Sequence, residues 1–277
     1  MKNIDIVITL TSLEVTMKSV KQIFVDIVTG KTRHKHLRRI SHNLRKLNPL
    51  TKDRHQMEVL SGPVGYSEEI GDYQLRFLKS LGLEPHHTLL DIGCGPLVGG
   101  IKFIDYLEKG NYYGVDTNDD AIATGLIHII KHDLLKKNSV LILSHSFGND
   151  ELRELKFDFI LASQILYHLD ESLIDMLFRQ LRKRMHANSR FYCDIIGYPN
   201  LVKDDSSWQG YRFYLHSLDF FKSISEKYGY ILTNLGQIEK YGYPSMLGLK
   251  TNIMMEFRLK PGADVKPPAI DPRQAVE

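Results

Sequence analysis

The sequence predicts an α/β fold: a mostly parallel sheet with helices on both faces and an antiparallel last strand, preceded by an N-terminal helical extension. Three observations predict it. From about residue 67 onward, short apolar β-type runs alternate with amphipathic stretches of helical length, the pattern of strand–helix–strand units. The last two apolar runs follow each other with no helix between them, so they pair as antiparallel neighbours. An apolar run ending at Asp91-Ile92 opens into Gly93-Cys94-Gly95, a turn of the kind that joins a strand to a helix at a ligand-binding sheet edge.

Taken in order, residues 12–29 read as an amphipathic helix. Thr11 and Glu14 stand at capping-box spacing, Val20, Ile23, Phe24 and Ile27 repeat at i, i+3, i+4, i+7, and Gly30 supplies the stop. Residues 60–66 hold Gly62, Pro63 and Gly65 and separate this region from the rest. The chain therefore divides into a helical, basic extension over 1–60, a main domain over 61–259 and a Pro-rich tail over 260–277 that is expected to be disordered. Within the main domain the strands fall near 88–92, 112–116, 139–144, 157–162, 190–196, 230–235 and 252–258. The helices fall near 67–81, 98–108, 118–130, 170–186 and 216–228.

The composition is that of a globular chain: 277 residues, 43% hydrophobic and 25% charged, with 36 Lys plus Arg against 33 Asp plus Glu. The longest run without a charge, Asn138 to Asn149, has 12 residues, whereas a membrane-spanning helix needs about 20 apolar ones, so no span is expected. Asp5 and Glu14 interrupt the first apolar stretch and no small-residue cleavage site follows, which points to a cytoplasmic protein. Cys94 and Cys193 lie in apolar surroundings far apart in sequence, so neither a disulfide framework nor a cysteine zinc site is indicated. Residues 31–55 carry nine Lys or Arg and one acid, and such a segment either contacts nucleic acid or a lipid surface or forms a solvated or subunit-packing helix face. His34, His36 and His42 are too closely mixed with these cations to favour a metal, and no metal site is expected.

The turn after the first main-domain strand carries the chemistry. A dinucleotide fingerprint would place a third glycine where Val98 stands and an apolar residue where Asp91 stands. A carboxylate there repels a pyrophosphate and attracts an amine. The next strand ends in Asp116, 21 residues after Gly95, where a carboxylate can accept both hydroxyls of a ribose or simply cap the following helix. The pair points to a nucleoside bearing an amino group.

On Asp91-Ile92-Gly93-Cys94-Gly95, Gly114-Val115-Asp116, Phe157-Asp158-Phe159-Ile160 and the strand Arg190–Ile196, the chain resembles the class I S-adenosylmethionine-dependent methyltransferases over roughly residues 66–258. The resemblance implies a Rossmann-like seven-stranded sheet with a reversed last strand, and S-adenosylmethionine as cofactor. Carried over by position, Asp91 orients the methionine amino group, Gly93 and Gly95 line the methionine and ribose, Asp116 holds the ribose hydroxyls and Thr117 lies beside the adenine. Two departures stand out. Pro96-Leu97 replaces a frequent third glycine, and Leu143-Ser144-His145-Ser146-Phe147 lacks the acid that meets the adenine, which leaves Ser146 or the Phe147 amide in that role.

The segment from Ser163 to Leu169 faces the transferred methyl in this family, with Ser163 at the cofactor. It has neither the Asn/Asp-Pro-Pro-Tyr signature of amide and base methylation nor paired acids for magnesium. His168 and His216 are the candidate general bases; each could instead be a packed or substrate-binding histidine. Trp208, Tyr211, Phe213, Tyr241 and Tyr243 suit a sugar or aromatic acceptor. The expected activity is methylation of a small molecule, at a hydroxyl of a glycan, lipid or secondary metabolite. The alternatives are an RNA methyltransferase using residues 31–55, disfavoured by the net acidic body, and a non-catalytic nucleoside-binding scaffold. A homodimer through the 12–29 helix is a further expectation, because its apolar face has no partner in the sequence.

Overall fold

The computed structural model describes residues 6–9, 66–148, 151–197, 207–208, 211–244 and 252–262. The 12–29 helix, the basic segment 31–55 and the tail beyond residue 262 lie outside them, so the proposed dimer helix and nucleic-acid arm do too.

The elements run β1 (Ile6–Thr9), α1 (Ser67–Ser80), β2 (Leu89–Ile92), α2 (Gly100–Tyr106), β3 (Tyr112–Asp116), α3 (Asp119–Lys131), β4 (Val140–Leu143), β5 (Phe157–Ala162), α4 (Glu171–Arg184), β6 (Met185–Ile196), β7 (Ser207–Trp208), β8 (Tyr211–Arg212), α5 (Leu218–Tyr228), β9 (Tyr230–Gln237) and β10 (Asn252–Leu259). All seven strands and five helices read from the main domain are present. Local chemistry sets several boundaries: the side chains of Asn118, Asp170 and Ser217 each accept backbone amides at the starts of α3, α4 and α5, and Gly229 ends α5 at φ +70°.

The main sheet has the order β1-β4-β3-β2-β5-β6-β10-β9. Strands β4, β3, β2, β5 and β6 pair in parallel, whereas β10 lies antiparallel between β6 and β9. The sheet has one more strand than expected. Residues Ile6-Val7-Ile8-Thr9, read as part of a helical extension, instead pair antiparallel with β4, from Ile6 opposite Leu143 to Thr9 opposite Val140. Four consecutive β-branched residues favour a strand, and they cover an otherwise open edge.

Strands β2 to β6, β9 and β10 divide their side chains between two apolar layers. Leu89, Leu141, Leu161, Tyr192 and Met254 pack with α1, α2 and α3, whereas Leu90, Ile142, Ile160, Cys193 and Met255 pack with α4 and α5. This two-residue alternation, in strands buried on both faces, is what makes them read as nearly continuous apolar runs. The chain proceeds outward from β2 to β3 and β4, then returns to place β5 and β6 on the other side of β2. The order therefore reverses between β2 and β5, and the crevice beyond the carboxyl ends of those strands is where open α/β sheets bind ligands.

Candidate functional site

The turn from β2 to α2 is built on left-handed backbone. Gly93, Gly95 and Leu97 have φ of +70°, +53° and +67°. The amides of Gly93 and Cys94 both donate to the Val115 carbonyl, at 2.7 and 3.1 Å, and lock the turn onto β3. The two expected site glycines serve different needs. A Cβ on Gly93 would stand 2.2 Å from the Ile165 side chain, so this glycine admits the segment after β5. A Cβ on Gly95 would meet nothing within 4 Å, so this glycine faces open space.

The structure also explains why leucine replaces glycine at position 97. The Leu97 side chain is fully buried and lies where Cβ atoms on Gly100 and Gly125 would have to be, 2.6 and 2.7 Å away. One glycine opens α2 and the other lies within α3. Two glycines in the neighbouring helices thus accommodate the side chain that the turn itself carries.

Asp91 and Asp116 both border this turn. Asp91 is buried and accepts the Tyr112 hydroxyl at 2.7 Å; burial pushes its pKa up to about 7, against the pull of that bond. Asp116 is half-buried and accepts the Gly95 amide on one oxygen and the Asn118 amide on the other, both at 2.8 Å. Burial raises its pKa, and the surrounding backbone amides oppose the rise. It does more than cap a helix, because it ties the glycine turn to the end of β3. Each of its oxygens has a second lone pair for a hydroxyl donor. Thr117 beside it is exposed.

Beyond β4, the organiser is Ser144, which sequence reasoning did not single out. It is 1% exposed; its amide donates to the Asp116 carbonyl at 2.9 Å, and its Oγ accepts the amides of Ser146 and Gly148 at 3.1 and 3.0 Å. Ser146 and Phe147 are half-buried, and Phe147 is left-handed at φ +55°. The missed signal was local: Ser144 opens a Ser-x-Ser-x-Gly run straight after an apolar strand.

The segment after β5 is fixed by a residue on β6 that the sequence did not nominate. Asp194 is fully buried and accepts the Gln164 amide at 2.6 Å, the Gln164 Nε2 at 2.9 Å and the Asn252 Nδ2 at 2.8 Å. Gln164 is thereby held left-handed at φ +62°, and its Oε1 accepts the Tyr167 hydroxyl at 2.7 Å. Burial pushes the Asp194 pKa up to about 6. Ser163 is half-buried at the head of this segment.

The two histidines occupy different settings. The half-buried His168 ring lies 4.7 Å from Tyr167 and 5.2 Å from Phe213 by centroid. The His216 Nε2 lies 2.7 Å from the Leu169 carbonyl, to which it donates, and its ring stacks on Phe220 at 5.0 Å. Of the expected acceptor aromatics, Tyr243 is buried against Tyr73 and the Tyr241 hydroxyl donates to the Leu235 carbonyl at 2.8 Å. Trp208 and Tyr211 oppose each other in the short β7–β8 hairpin.

The comparisons agree with this architecture. The chain has the Rossmann-like fold of S-adenosylmethionine-dependent methyltransferases. The crystal structure of magnesium protoporphyrin IX methyltransferase from Synechocystis with bound S-adenosylmethionine superposes with a TM-score of 0.52, at 13% identity over 80% of this chain and 97% of that one. An uncharacterized protein of Rickettsia prowazekii is 29% identical over 153 residues, 52% of this chain and 57% of its own length. An uncharacterized methyltransferase of Schizosaccharomyces pombe is 25% identical over 107 residues, 38% of this chain and 37% of its own. The chain thus matches little more than half the length of one relative and about a third of the other. No family model matches the chain. Among the described residues, no helix is long and apolar enough to cross a membrane.

Proposed function

We propose that this chain is an S-adenosylmethionine-dependent methyltransferase of the cytoplasm that acts on a small-molecule acceptor, at a hydroxyl of a glycan, lipid or secondary metabolite. The observation that carries the reading is the cradle between β2 and β3: Gly95 faces open space, and Asp116 stands beside it with both oxygens oriented by backbone amides. These residues fit a nucleoside. Asp116 would take the ribose hydroxyls, Gly93 and Gly95 would border the methionine and ribose, and Asp91 would face the amino group. Thr117, Ser146 and Phe147 would flank the base, and Ser163 would stand near the methyl. When bound, S-adenosylmethionine supplies an electrophilic sulfonium methyl.

The protein's share of the work is alignment of the acceptor and removal of its proton. His168 lies on the segment that Asp194 holds, with its ring against those of Tyr167 and Phe213, and we assign it the role of general base. A base of this kind contributes about 10²–10⁴ in rate. His216 supports it by holding the Leu169 carbonyl, which follows His168 directly.

The test is calorimetric titration with S-adenosylhomocysteine of the wild type and Asp116→Ala. Two hydrogen bonds to a carboxylate predict an affinity loss of about a hundredfold in the variant. Absence of binding to the wild type would overturn the reading.

A further inference from the structure

The two halves of the site meet at one side chain. Toward β3, the glycine turn is held by polar groups: the Gly93 and Cys94 amides donate to the Val115 carbonyl, and the Gly95 amide donates to Asp116. Toward β5 it meets a hydrocarbon instead. The Cδ1 and Cγ1 atoms of Ile165 stand 2.2 and 2.5 Å from where a Cβ on Gly93 would be, so the isoleucine rests on the glycine itself. Ile165 is half-buried, and it also packs on the apolar layer of α4 and α5.

Ile165 has little freedom to turn away from Gly93. The preceding residue, Gln164, is held left-handed by Asp194, a conformation that a residue with a side chain keeps only when its surroundings enforce it. The following turn closes on Ile165 directly, since the His168 amide donates to the Ile165 carbonyl at 2.9 Å. The Tyr214 amide donates to the Tyr167 carbonyl at 2.8 Å, which brings the chain before α5 onto the same turn. β-Branching restricts the rotation of the Ile165 side chain about its own Cα–Cβ bond. A shift at Gly93 therefore passes through Ile165 to the backbone of His168.

We propose that Ile165 is a positioning residue that couples the two halves: a nucleoside seated on the Gly93–Gly95 turn fixes that turn, and through Ile165 it orders the segment that carries His168. This rests on the methyltransferase reading above and adds an order of events to it, in which the cofactor prepares the acceptor side. Both ligands bias the same contact, and a segment already ordered by the first costs the second less to bind.

Amide hydrogen–deuterium exchange of the full chain, with and without saturating S-adenosylhomocysteine, reads this coupling. In the wild type the ligand is expected to slow exchange about tenfold both in the turn and at Gln164 and His168. Ile165→Ala should keep the slowing in the turn and reduce it at Gln164 and His168 to less than about twofold. Ile165→Val removes Cδ1, the atom nearest Gly93, keeps the β-branch and should leave a slowing of about threefold; it serves if the alanine variant does not fold. A purely structural role for Ile165 would speed exchange equally with and without the ligand, so an unchanged ratio in either variant overturns the proposal. So does a wild type whose turn slows while Gln164 and His168 do not. A wild type in which neither region slows counts against the methyltransferase reading itself, and the coupling falls with it.

Discussion

Asp91 and Asp194 end strands on the same face of the sheet, separated by β5, yet they are sustained differently. Asp91 is buried with one neutral hydroxyl for a partner, and its pKa is pushed up to about 7. Asp194 is more deeply buried but has three amide donors, and its pKa reaches only about 6. Burial raises both; the Tyr112 hydroxyl opposes the rise at Asp91 while the neighbouring Asp116 charge adds to it, and the Gln164 and Asn252 amides oppose it at Asp194. The difference also separates two ways of building a site. The Asp91 side is assembled from a turn and the next strand, whereas the donors to Asp194 lie 30 and 58 residues away.

The largest expected effect sharpens the contrast in ionisation. Folding raises the Asp91 pKa from 3.8 to about 7, so in that window the folded state holds a proton that the unfolded chain releases. Its contribution to stability is therefore present at low pH and is lost as pH rises through about 7. Asp91→Asn should stabilise the protein at about pH 8 by up to about 4 kcal/mol, with little change at about pH 4, and should flatten the decline between them. Urea unfolding at the two pH values reads this, and an unchanged pH profile would mean that Asp91 is not the titrating group.

Asp194→Ala tests the other arm. It leaves three buried amide donors without an acceptor and should cost about 3 kcal/mol, seen as a lower urea midpoint at about pH 7. A loss below about 0.5 kcal/mol would show that the network does not hold the segment after β5.

The smallest effect separates the two glycines of the turn. Both substitutions to alanine incur the left-handed penalty of about 1–2 kcal/mol, but Gly93→Ala also collides with Ile165 and should be less stable than Gly95→Ala by about 1–3 kcal/mol. Adding Ile165→Ala should recover part of that difference. Equal melting temperatures for the two alanine variants would break the distinction.

Much of the fold was legible because its signals are local. The apolar run Phe157–Ala162 and the alternation of strands with capped amphipathic helices place the seven expected strands and five helices of the main domain, though β6 begins at Met185, earlier than expected, and the short strands β7 and β8 were not read; the succession of the last two apolar runs correctly implied an antiparallel pair. The strand at Ile6–Thr9 was missed because four residues carry too short a pattern, and its partner β4 lies more than a hundred positions away. That Asp91, Gly95 and Asp116 border one turn of the candidate site was readable from that turn and one strand end. Ser144, Gly100 and Gly125 were not, because each acts by fitting a group that only the folded chain brings near.

By itself, the sequence determined the strand and helix periods, the glycine turn and the two acids that border it, all consequences of backbone sterics and side-chain spacing within a few residues. Tertiary structure decided that Leu97 could stand where glycine is common, that Gln164 could be held left-handed, and that Asp194 would gather amide donors from two distant segments. Those outcomes depend on burial and on contacts between distant segments, and a carboxylate acquires its charge preference only when the chain around it has excluded water.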